Sequence, residues 1–277
     1  MAPRRVAYLV VVALAACAGA QPALRREDAL DIPTLAAPAS SRAPEDAGPS
    51  VTIRRRPARA GDRWRVTVKA DSREQTSWGF EEHATYDTAY DVEVLAIEGA
   101  APSRLRVHYD HNVRTSRGQE TRTPVDGQTY LVEAAQKLRV VDGGELATRP
   151  DEAQLVSDMF PDLGAPGSVE SSLREGALRV GDRQDGLARA VARLVHPRAV
   201  TLESGSATVA RLEGDRLELA LDMVLVWQMG SRAALKGKAL VRSDGLLLRV
   251  ALEGAFEDED AAPRGHMTYV RELTYGE

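Results

Sequence analysis

Residues 216–228 read Arg-Leu-Glu-Leu-Ala-Leu-Asp-Met-Val-Leu-Val-Trp-Gln. Leu217, Leu219, Leu221, Met223, Leu225 and Trp227 occupy every second position. A period of two places all six on one face of an extended strand. Wound as a helix at about 100° per residue, the same residues would point to every side. Glu218 and Asp222 lie on the opposite face with Ala220, Val224 and Val226, so that face is expected to be partly covered as well. The stretch predicts a long strand, and it sets the class of the fold.

The flanking chain continues the pattern. Residues 232–242 and 246–256 read as two strands joined by Ser243-Asp244-Gly245, a hairpin turn signal. A last strand over 266–275 follows the acidic loop that starts at Glu257. Upstream, Gly61-Asp62 marks a turn, after which Trp64, Val66, Val68 and Ala70 alternate with Arg65, Thr67 and Lys69. Tyr86, Tyr90, Val92, Val94 and Ala96 share the inward face of a longer strand that ends at Glu98-Gly99. Residues 104–114 repeat the alternation with Leu105, Val107, Tyr109 and Val113 inward. Residues 128–133 and 137–141 make two short strands before Asp142-Gly143-Gly144. Successive strands with short turns pair as antiparallel neighbours.

The period changes twice. Leu155, Val156, Met159, Phe160 and Leu163 trace one face of a helix over 151–163, with Asp151 and Glu152 in its first turn and Pro161 marking its end. Leu187, Ala190, Val191, Leu194 and Val195 do the same from Asp185 to His196, stopped by Pro197. The expected fold is therefore mainly β (α+β): an antiparallel meander forming a curved sheet or half-open barrel with about two helices. It fills one β-rich domain over 51–277. The echo of Arg59-Ala60-Gly61-Asp62-Arg63 in Arg179-Val180-Gly181-Asp182-Arg183 allows two related halves, 51–145 and 176–277.

The N-terminus has the layout of a secretory signal: Arg4 and Arg5, the apolar run Val6–Ala13, then small residues around Cys17, the single cysteine of the chain. The apolar run falls short of the roughly 20 residues a membrane-spanning helix needs. Leu14-Ala15-Ala16-Cys17 resembles a bacterial lipobox. That resemblance implies removal of residues 1–16 and lipidation of Cys17, which would anchor the protein in the cell envelope. Ala18 in place of aspartate implies the outer membrane, facing the periplasm. The other reading is an ordinary signal cut after Ala18-Gly19-Ala20, with Cys17 discarded. Residues 17–50, rich in Ala, Pro and Ser, carry no sustained period and read as a disordered tether.

Loss of Arg4 and Arg5 with the leader leaves 34 basic residues against 41 acidic ones. A net charge of −7 argues against a nucleic-acid partner. The small basic run Arg54-Arg55-Arg56 with Arg59 could touch anionic headgroups or simply face water.

Chemistry-bearing patterns are sparse. In His108-Tyr109-Asp110-His111, strand alternation puts His108 and Asp110 on the polar face and His111 on the other. A catalytic zinc needs about three protein ligands on one centre, and a third here would have to come from His83 or His266. No metal is expected. Trp78 and Phe80 could line a pocket or pack in the core. Glu257-Asp258-Glu259-Asp260 reads as a solvated acidic run rather than a weak calcium contact. No nucleophile elbow, H-E-x-x-H or P-loop is present. Neither an enzyme nor a cofactor is expected.

The Gly61-Asp62-Arg63-Trp64 entry, the strand Tyr90-Asp91-Val92-Glu93-Val94, the run Arg104-Leu105-Arg106-Val107-His108-Tyr109 and the C-terminal hairpins together resemble β-rich bacterial lipoproteins. Long antiparallel strands with two helices also resemble half-barrels of the LolA/LppX type, which carry lipids in an apolar cavity. The resemblance implies a membrane-anchored, non-enzymatic protein binding a lipid or other apolar ligand. The inward residues Tyr86, Tyr90, Val92, Leu219, Leu221, Met223, Leu225 and Trp227 are the expected lining. The alternative is a structural or protein-interaction lipoprotein with a filled core and no small ligand.

Overall fold

Every second residue of the 216–227 stretch is buried, from Leu217 to Leu225, and the stretch is one strand of a large sheet. The computed structural model describes residues 48–75, 81–135, 139–144, 148–165, 168–195, 200–227, 231–257 and 263–276. Cys17, Trp78, Phe80, Lys137, His196, Pro197 and 258–260 lie outside them, as does nearly all of the expected tether.

Among the described residues thirteen strands and three helices follow in chain order. The first half holds β1 (Ser50–Ile53), β2 (Arg63–Gln75), β3 (Glu81–Glu98), β4 (Ala101–Ser116), β5 (Gln119–Arg122), β6 (Thr129–Glu133) and β7 (Arg139–Asp142). Then come α1 (Pro150–Met159), α2 (Ser168–Ser172), β8 (Gly176–Arg179) and α3 (Asp185–Val195). The chain ends with β9 (Val200–Glu213), β10 (Arg216–Trp227), β11 (Arg232–Arg242), β12 (Leu247–Glu257) and β13 (Pro263–Tyr275).

Eleven strands form one antiparallel sheet in the order β7-β6-β4-β3-β2-β13-β12-β11-β10-β9, with β5 on β4. It is a curved, open sheet that does not close into a barrel. The last strand pairs with the first long one, Leu273 opposite Val66 and Tyr269 opposite Ala70. That single junction welds the two runs of hairpins into one surface. β1 and β8 pair separately as a short ribbon.

Bulges explain where simple alternation goes astray. Ala89 pairs with His111 and Tyr90 with Tyr109, so Asp110 is an extra residue in β4. An inserted residue reverses which face each later side chain occupies. Asn112 is therefore turned inward, donating to Tyr86 Oη at 2.9 Å and Thr88 Oγ1 at 3.2 Å, while Val113, expected inward, is turned out. β9 carries two such insertions, at Glu203 and Ala210. Its core-packed residues accordingly run Val200 and Leu202, then Ala207 and Val209, then Leu212. That parity change hides the strand from a period-two search.

The two Arg-x-Gly-Asp-Arg stretches form the same turn. Gly61 N–H donates to Val94 O at 2.8 Å, Val94 N–H returns to Asp62 O, and Asp62 Oδ2 accepts from Arg59 N–H. Gly181, Val209, Asp182 and Arg179 repeat each bond. Gly61 and Gly181 have φ near +90°, a conformation that glycine adopts at least cost. After the first turn the chain continues as β2. After the second it enters α3, because Leu187, Ala190, Val191 and Leu194 recur at helical spacing.

α3 packs on β9 and β10 with Leu187, Ala188, Ala190 and Val191 buried. Ala188 lies tight against Gly205 of β9. α1 rests on β6 and β7 and stops at Phe160. Pro161 disfavours a helical residue before it, so the helix ends short of the expected Leu163. α2, one short turn beside α3, was not expected; five residues carry no readable period.

Candidate functional site

The inward face of β13 reads Met267, Tyr269, Arg271, Leu273, Tyr275. A charged residue thus sits in line with four apolar or aromatic ones. The burial pattern makes the consequence plain: Arg271 is only 8% exposed. It lies on the wall of an apolar cavity of about 510 Å³, within the roughly 300–1,000 Å³ usual for small-molecule sites.

The cavity lies where the helix ends meet the inner face of the sheet. Met159, Phe160 and Leu163 come from the end of α1 and the turn after it; Leu194 comes from the end of α3. Leu105 of β4 and Leu247 of β12 supply sheet-side wall. Several bonds hold these parts in place. Tyr269 Oη donates to Leu194 O at 2.8 Å, joining α3 to β13. Gly164 N–H donates to Pro102 O at 2.9 Å, and Arg193 meets Asp162 at 3.5 Å. Arg55 donates to Leu173 O at 2.7 Å, which ties part of the basic run to the segment after α2.

Among the described residues five arginines and three carboxylates line the cavity. Arg56 pairs with Asp62, Arg63 with Glu93, Arg193 with Asp162, and Arg55 approaches Glu175 at 3.7 Å. Arg271 differs. No ion pair links it to a carboxylate among the described residues. Its Nη2 donates to Tyr90 Oη at 3.0 Å, the Tyr269 phenol is a second neutral partner, and its Nε finds no acceptor among the described residues. Burial holds the Tyr90 phenol above its ordinary value, and the charge of Arg271 offsets part of that rise. A guanidinium stays charged at any working pH. Removing a charge from water without a full partner costs several kcal/mol, so this arginine is a burden on the empty fold.

Glu170 of α2 is the other unusual group. Burial raises its carboxyl above the ordinary range, with Arg55 opposing the shift and Asp162 adding to it. A carboxyl whose folded value exceeds its unfolded value binds its proton more tightly when folded. Its stabilising contribution is present at low pH and lost as pH rises through the raised value. Glu170→Gln is therefore expected to be more stable than the parent at about pH 8, with the gap shrinking toward about pH 5. Urea midpoints at both pH values check this; an equal gap at both would sink it.

The expected lining residues are placed differently. Leu219, Leu221, Met223 and Leu225 are packed in the core at 0–3% exposure and do not line the cavity. Trp227 packs on Phe256, ring centres 5.7 Å apart. Tyr86 accepts from Asn112 beneath the bulge of β4. Val92 is buried beside a shallower groove that includes Arg65 and His108. Of the eight, Tyr90 meets the cavity wall through Arg271 and through Phe160 at 6.1 Å between ring centres, and Val92 through its cross-strand partner Trp64. The charged inward position of β13 was not among the expected site residues. Its parity against Met267, Tyr269 and Leu273 was the available signal.

His108, Asp110 and His111 occupy the outer face together, because the Asp110 bulge turns His111 outward. This corrects the expectation that His111 faces inward. His111 meets Asp87 at 3.0 Å, His108 meets Thr129 Oγ1 at 2.9 Å, and Asp110 pairs with Arg65. They belong to a lattice of exposed cross-strand pairs, each contributing little in water. Among the described residues no three His, Cys, Asp or Glu side chains are grouped to hold a metal ion. No described helix is long and apolar enough to cross a membrane.

No protein-family model matches the chain, and no curated protein matches it. Among solved structures it is similar to DynF from the dynemicin biosynthesis pathway of Micromonospora chersina, at 10% identity and a TM-score of 0.22, over 83% of this chain and 85% of that one. It is also similar to P47 from Clostridium botulinum A2, at 6% identity and a TM-score of 0.15, over 79% and 81%. Likenesses this slight carry no weight for fold or function.

Proposed function

We propose that the chain is a membrane-anchored, non-enzymatic bacterial lipoprotein that holds a lipid or other apolar ligand in the cavity beneath its helices. The observation that carries this reading is the cavity itself: about 510 Å³, walled mainly by apolar side chains, with one buried arginine in the wall. A bound apolar chain would take that apolar wall out of water. The lipobox-like Leu14-Ala15-Ala16-Cys17 supports the anchor and the envelope location.

The alternative, an interaction module with a filled core, calls for an exposed apolar patch. Among the described residues Leu155 and Val180 are the exposed large hydrophobics, one on α1 and the other in the turn after β8. Single exposed apolar residues are ordinary.

Native mass spectrometry of the full chain purified from bacterial envelopes, with organic extraction, tests the reading. The expected result is a released lipid of defined mass, plus acyl chains on Cys17. Leu273→Trp places an indole into the cavity from the inward face of β13. It is expected to abolish the released lipid while leaving the acyl chains. A parent protein that carries nothing and takes up no apolar probe would overturn the ligand-binding reading.

A further inference from the structure

We infer that Arg271 is a head-group site, and that the cavity takes a single apolar chain ending in a carboxylate. This rests on the cavity being a ligand site. It follows from how Arg271 is placed, the arginine of the cavity lining with no carboxylate partner among the described residues. Arg271 lies among phenols, with Tyr90 in hydrogen-bond contact and Tyr269 and Tyr275 close by. Phenols are neutral at physiological pH, so they solvate the guanidinium without balancing its charge. Its Nε–H has no protein acceptor among the described residues.

A guanidinium is planar and carries paired donors that match the two oxygens of a carboxylate. A neutral ligand would fill the volume but leave the buried charge uncompensated. A carboxylate at the cavity wall compensates it. The wider lining agrees, with five arginines against three carboxylates. Asp62 and Asp162 are already paired with Arg56 and Arg193, and burial raises the Glu170 carboxyl above its ordinary range. The volume suits one chain with a small head.

The test compares three probes of equal chain length on the full chain after lipid extraction: palmitic acid, cetyl alcohol and cetyl phosphate. Isothermal titration reads the affinities. The acid is expected to bind about tenfold or more tighter than the alcohol. Arg271→Met, which keeps the length and apolar bulk of the stem, is expected to erase that preference while retaining the alcohol. The acid–alcohol comparison in the parent stands even if the variant does not fold. Equal affinity for acid and alcohol would overturn the head-group assignment and leave the cavity reading standing. A preference of cetyl phosphate over palmitic acid by about tenfold would overturn the carboxylate assignment. Binding of none of the three would overturn the cavity reading.

Discussion

Gly254→Ala is expected to lower the stability of the folded domain by about 3 kcal/mol, the scale of overpacking a filled interior. The substitution looks harmless by composition. Exchanging glycine for alanine where the backbone permits it usually stabilises by about 0.4–1 kcal/mol, because the unfolded chain loses freedom. Here the sign reverses. A Cβ on Gly254 would lie 1.9 Å from Ala234 O, and 2.9 Å from Leu235 Cα on the neighbouring strand. Those are backbone atoms of β11 and cannot swing aside as a side-chain tip would. Gly237 faces Ala251 O at the same 1.9 Å from the other strand of the pair. β11 and β12 therefore approach each other closely at two points, where only glycine leaves room, and glycine kinks of this kind let a sheet curve. Urea unfolding of Gly254→Ala against Gly48→Ala, whose Cβ would meet nothing within 4 Å, isolates the contact. Equal midpoints for the two variants would remove the close approach as a determinant of the fold.

Leu219→Ala is expected to cost a similar amount, about 3 kcal/mol, through lost burial and the void left behind. Leu219 is completely buried on the inward face of β10, paired with Ala239 on one side and Val209 on the other. The same variant separates two roles for this strand. As packed core, Leu219 leaves affinity for an apolar probe unchanged within about twofold, below the roughly tenfold step that 1.4 kcal/mol represents. As ligand lining, its truncation would weaken binding at little cost to folding. Chemical unfolding and probe titration on one preparation distinguish these. A stable variant with impaired binding would reinstate the 217–227 face as part of the site.

Much of this molecule was legible from spacing alone. Long strands with one buried face, such as β2, β10 and β11, announce themselves because sheet geometry repeats every two residues. α3 was legible because its apolar residues recur at 3.6. β9 was not, since bulges at Glu203 and Ala210 twice reverse its parity, and the outward turn of His111 was hidden by the single bulge at Asp110. The cavity was misplaced for a related reason. The run of Leu and Met on β10 identified a buried face, and burial by itself does not distinguish core from ligand site.

The sequence by itself determined that this chain builds antiparallel sheet, which segments make most of its long strands and its two longer helices, and which face of most of those strands turns inward. Those properties are local, set by the pitch of the backbone and the cost of leaving apolar side chains in water. Only the tertiary structure decided that β13 returns to pair with β2, and that the ends of α1 and α3 stop short of filling the space above it. It likewise decided that Arg271 is the charge left in that wall without a carboxylate. Such facts depend on which distant elements meet, and pairing across some two hundred residues is chosen by the fit of whole surfaces, which no period within a strand records.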